Sequence, residues 1–68
     1  MKYYSVWSGD GSYWEHFTSR KKAEKFFDQL SKENHSVVLD LWEGTKDRDG
    51  SFDGDYVTTL KTTSPDPR

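Results

Sequence analysis

The sequence contains no cysteine, no isoleucine, two prolines and a single methionine at its start. Without cysteine there is no disulfide scaffold and no thiolate-ligated zinc site. A cysteine-free chain also fits a reducing compartment, so a cytoplasmic location is expected. No apolar run approaches the roughly 20 residues of a membrane span, and no secretory leader is visible. Nor is there an excess of positive charge. Ten basic side chains against twelve acidic ones leave a formal net charge of −2, which argues against a basic nucleic-acid domain. With 68 residues there is room for one domain only. Met1 is followed at once by a strand pattern, which reads as a complete small protein.

What the chain does have is rings. Four Phe, four Tyr and three Trp outnumber the four Val and four Leu. So few aliphatic side chains approach the composition of disordered chains, but the high net charge that accompanies disorder is missing. Each ring can bury on the order of 150–250 Å². One small domain of modest stability is expected, with self-association as the one staple still open to it.

Residues 2–8 and 13–17 read as strands rich in Tyr, Trp, Val and Phe. Asp10-Gly11 between them predicts a two-residue hairpin loop. Thr18-Ser19 offers helix N-caps. A helix is predicted from Arg20 to Glu33, because Ala23, Phe26, Phe27 and Leu30 fall on one stripe. Asn34 is a candidate C-cap. Residues 36–43 and 56–62 read as the third and fourth strands. Residues 44–55, polar around a single Phe52, read as a long acidic hairpin loop, and 64–68 as a flexible tail. The fold class is therefore α+β: a single small domain over residues 1–63, ββαββ, with a four-stranded antiparallel sheet and one helix packed on one face. Strand order 2-1-3-4 makes every pairing antiparallel.

Register assigns the faces. With Asp10-Gly11 as the loop, Tyr4 opposes Phe17 and Trp7 opposes Trp14, and opposed residues share a face. Tyr4, Val6, Phe17, Val37, Leu39 and Leu41 should meet the helix. Tyr3, Trp7, Trp14, His16, Val38, Asp40 and Trp42 are left on the other side. On the fourth strand Leu60 is expected inward, which by alternation takes Tyr56 and Thr58 with it and leaves Val57, Thr59 and Lys61 outward. A sheet face with three Trp is too apolar to stand in water without a role. Its own loop or tail could cover it, a second copy could, or a foreign partner could. A one-residue slip in the hairpin would exchange the faces.

Three other features each have a simpler explanation beside the functional one. Arg20, Lys21 and Lys22 open the helix with charge that opposes its dipole, a candidate anion site or a solvated basic turn. Asp47, Asp49, Asp53 and Asp55 with Gly50 and Gly54 partly match a calcium loop, but the spacing departs from the EF-hand pattern and Arg48 intrudes. No metal and no cofactor are expected. His16 and His35 have acids beside them in sequence, yet no nucleophile elbow, zincin or P-loop pattern is present. Both are read as structural, and catalysis is not expected.

The sequence thus points to a small non-catalytic protein-binding module or inhibitor. Tyr3, Trp7, Trp14 and Trp42 would be its anchors, and Asp47, Asp49, Asp53 and Asp55 would steer a protein partner. A homodimer through the same face is an alternative, as is a nucleotide or single-stranded nucleic-acid binder that stacks bases on the rings. Small cysteine-free proteins are common among regulatory and virus-encoded inhibitors, which is an association rather than a physical argument.

Overall fold

Helix α1 (Arg20–Glu33) starts where Ser19 can cap it. The Ser19 hydroxyl accepts from the Lys22 N–H at 3.4 Å, and its carbonyl accepts from the Ala23 N–H at 3.0 Å. That meets one of the four orphan donors of a helix start. The computed structural model describes residues 1–33 and 36–63, so the expected cap at Asn34, His35 and the 64–68 tail lie outside the described residues. The order is β1 (Lys2–Ser8), β2 (Trp14–Phe17), α1, β3 (Val37–Lys46) and β4 (Phe52–Thr62). All four strands form one antiparallel sheet in the order β2-β1-β3-β4. This is the predicted ββαββ α+β fold. No described helix is long and apolar enough to cross a membrane.

The β1–β2 register is the expected one: Tyr4 opposes Phe17, Ser5 His16, Val6 Glu15 and Trp7 Trp14. The turn chemistry differs. The connection is four residues, Gly9–Ser12, closed by the Ser8 N–H on the Tyr13 carbonyl at 3.1 Å. The Gly11 N–H returns to the Ser8 carbonyl at 3.0 Å, and Gly11 alone takes positive φ, at 79°. Asp10 instead accepts from the Ser8 hydroxyl and the Ser12 N–H. The register survives because four-residue and two-residue loops share the same centre.

The core lies between α1 and the sheet. Val6, Val37 and Leu39 form the floor, and Ala23, Phe27 and Leu30 cover it. Tyr4, Phe17, Phe26 and Leu60 pack around the edge. Fully burying a side chain of this kind contributes roughly 1.5–3 kcal/mol, so these few residues carry much of the stability. Lys61 closes the helix side, with its ammonium 3.5 Å from Glu24, 4.0 Å from Asp28 and over the Phe27 ring at 5.8 Å.

Two expectations about β3 and β4 are corrected. First, 44–55 is not a long loop. Both strands run through it, Lys46 pairs with Phe52, and only a turn over 47–51 remains. Asp47 closes that turn through its N–H on the Ser51 carbonyl at 2.8 Å, and Gly50 takes φ 91°. Polar residues are normal in a strand with one solvated face, so composition alone hid the extension. Second, β4 does not alternate simply. Asp40 opposes Thr59 and Leu39 opposes Lys61, which leaves Leu60 as an extra residue. Leu41 opposes Thr58 and Trp42 opposes Tyr56, which leaves Val57 as another. Each bulge exchanges the faces of the residues on either side of it. Thr59 therefore keeps its expected place on the outward face, Tyr56 joins it there beside the Trp rings, and Lys61 goes to the helix face.

The long β3–β4 hairpin also bends. Gly44 and Gly54 oppose each other. A Cβ on Gly44 would stand 2.5 Å from the Gly54 Cα, and one on Gly54 2.7 Å from the Gly44 Cα. Only glycine allows backbones that close. Beyond this point the hairpin lies over the sheet and brings Phe52 to 4.7 Å from the Tyr3 ring and 5.2 Å from His16, between centroids. The last turn of β3–β4 thus crosses β1 and reaches β2.

Candidate functional site: an aromatic concavity on the helix-free face

The face away from α1 divides in two. One half is closed by the chain itself. Tyr3 lies parallel to Trp42 (6.0 Å, 9°), meets His16 edge-on at 6.0 Å, and is covered by Phe52. It is only 3% exposed. Tyr3 is therefore a packing residue, a correction to its expected role as a partner anchor. The signal for the lid was Phe52, the one apolar residue in the polar stretch.

The other half is a concavity of about 320 Å³ lined by Trp7, Trp14, Asp40, Trp42 and Tyr56. Trp7 and Trp14 stack at 5.6 Å with planes 18° apart. Trp42 and Tyr56 meet at 5.9 Å and 79°, so one ring presents its face beside the other's edge. Trp14 is 57% and Tyr56 47% exposed, while Trp7 and Trp42 are half-buried. Alternation along β1 and β3 places Trp7 and Trp42, the hairpin register adds Trp14, and the β4 bulge adds Tyr56.

Asp40 lies beneath the rings, 2% exposed. A buried carboxylate is tolerated when hydrogen bonds replace its water. Its Oδ2 accepts from Trp7 Nε1 at 2.9 Å, and its Oδ1 accepts from Thr59 Oγ1 at 2.7 Å. Thr59 gives its only hydrogen to Asp40, so the Tyr56 hydroxyl, 2.9 Å away, donates to Thr59. Trp42 Nε1 donates to the buried Ser5 hydroxyl at 2.8 Å, and Trp14 Nε1 points to His16 Nε2 at 3.4 Å. The polar hydrogens of all four rings are thus turned onto neighbouring side chains.

Charge of both signs lies on this face: Asp40 beneath the rings of the concavity, and the Lys46 ammonium over the Phe52 ring at 5.5 Å in the closed half. Tyr3, beside the concavity, has its phenol pushed above its ordinary value by burial first, then by the carboxylates of Asp53 and Asp55. Burial lowers the His16 pKa, against an opposing pull from Glu15.

The other expected residues are dispersed. Asp47 and Asp49 sit at the 47–51 turn, where Asp49 accepts from the Ser51 N–H at 2.9 Å. That bond holds the Asp49 carboxyl below the usual range. Asp53 and Asp55 are exposed on β4. No three His, Cys, Asp or Glu among the described residues are grouped to hold a metal ion. Arg20, Lys21 and Lys22 are exposed, Ser19 caps their turn, and Arg20 lies 3.7 Å from Glu24. Compared with known proteins, the chain matches no family model, no curated protein and no solved structure.

Proposed function

We propose that this protein is a small non-catalytic binding module that engages another protein through the concavity formed by Trp7, Trp14, Trp42 and Tyr56. The observation that carries this reading is the ring-lined hollow itself, on a sheet whose other face is already packed by the helix. Exposed Trp and Tyr in a recess are the usual anchors of protein interfaces. The acids of the β3–β4 hairpin would steer a basic partner toward it. Stacking of nucleic acid has less support, since Lys61, the one basic residue expected beside the rings, pairs with helix acids instead. Such surfaces need cations near the phosphates.

The test has two steps. Light scattering over a concentration series determines whether the partner is a second copy. Immobilised wild type and Trp14→Ser are then compared for retained proteins by quantitative mass spectrometry. Trp14 is exposed enough for the substitution to spare the fold. A partner lost with Trp14→Ser supports the reading, and partners retained equally by both refute it.

A further inference from the structure

The lining of the concavity restricts what it can hold. Each ring has one polar hydrogen at most, and all four are committed elsewhere: Trp7 to Asp40, Trp42 to Ser5, Tyr56 to Thr59 and Trp14 toward His16. The wall offered to a ligand is ring carbon. A sugar, a primary ammonium or a guanidinium would bury several donors or acceptors against it and leave them unpaired. A neutral apolar group would fit the carbon but ignore the charge. The ring faces carry negative quadrupole density. The Asp40 carboxylate lies beneath them, and Asp53 and Asp55 act on the neighbouring Tyr3 in the same sense. A group with positive charge, apolar surface and no N–H satisfies all of these conditions at once.

We propose that Trp7, Trp14, Trp42 and Tyr56, with Asp40 at the base, form a cage for a quaternary ammonium group, supplied by a trimethylated lysine side chain of the partner protein. This rests on the protein-binding reading above and names the chemistry of its anchor point. Asp40 acts through its charge rather than by direct contact, because its oxygens already accept from Trp7 and Thr59. The acidic hairpin favours a lysine set in a basic stretch of sequence.

The experiment titrates the full chain with three forms of one short basic peptide. One carries trimethyllysine, one unmodified lysine, and one the neutral isostere in which carbon replaces the quaternary nitrogen. Indole N–H resonances of the three Trp report binding. The expected result is binding of the trimethyllysine form about tenfold tighter than either of the others. Asp40→Asn should reduce that preference without changing affinity for the isostere, and Trp14→Leu should weaken all three. Equal binding of charged and neutral forms would leave a merely apolar pocket and overturn the proposal. So would the absence of any indole shift. Free choline binding as tightly as the peptide would overturn the assigned source. A partner that depends on Trp14 while the trimethyllysine peptide does not bind would overturn the cage and leave the protein-binding reading standing.

Discussion

Gly44 and Gly54 face each other across β3 and β4 at a separation where neither has room for a Cβ. That contact lets the hairpin bend and carries Phe52 over Tyr3. It divides the helix-free face into a sealed half and a hollow half. Gly54→Ala should therefore force the strands apart, at about 2 kcal/mol by analogy with overpacked cores. Denaturant midpoints measure the loss. The Tyr3 ring should become accessible at the same time, which an unchanged tyrosine environment would contradict.

Asp40 joins the two edges of the hollow through Trp7 and Thr59. Asp40→Ala leaves two largely buried donors without their acceptor. Each such loss costs roughly 1–3 kcal/mol, so a total of about 3 kcal/mol is expected. Asp40→Asn keeps an acceptor and should cost clearly less. Equal losses in urea titrations of the two variants would show that shape rather than hydrogen bonding matters here.

The tryptophans should differ in stability effect. Trp14 is exposed on the short edge strand β2 and rests on Trp7 alone among the tryptophans. Trp14→Ser should cost about 1 kcal/mol, the scale of one aromatic pair. Trp42 is half-buried between Tyr3 and Tyr56 and bonds Ser5. Trp42→Ala should cost about 3 kcal/mol. Thermal unfolding of the two variants side by side checks the order.

His16 gives the fold a pH dependence of known sign. Burial holds its pKa below the ordinary 6.5, and Glu15 only partly offsets this. The unfolded chain therefore takes up the proton first as pH falls. The His16 contribution is fully present above about 6.5 and is lost as pH drops toward and through the depressed folded value. Phe52 stacks on the imidazole, so Phe52→Ala should return the pKa toward 6.5 and flatten the dependence. Titration of the imidazole Cε1–H resonance by NMR reads both effects.

Lys61 tests the surface electrostatics. It reaches Glu24 and Asp28 but remains 40% exposed. Lys61→Met keeps the stem over Phe27 and removes the charge. A loss below about 1 kcal/mol is expected, and it should vanish in high salt. A large, salt-insensitive loss in chemical denaturation would contradict the assignment to solvated ion pairs.

Local pattern was enough for the helix, the strand order and the faces of β1, β2 and β3. The stripe at Ala23, Phe26, Phe27 and Leu30 and the alternation around Trp7 and Trp42 are set by the periods of helix and strand, which the chain carries with it. The three Trp of the hollow were legible for that reason. Tyr56 was not, because a bulge in β4 breaks the alternation that sets its face, and a bulge is fixed by its pairing partner. Nor was the burial of Tyr3, which requires Phe52 to arrive from a hairpin bent at Gly44 and Gly54. The sequence by itself determined which side chains could share a face. The tertiary structure decided which of them the chain would cover, because burial depends on contacts between residues some 50 positions apart, such as Tyr3 and Phe52.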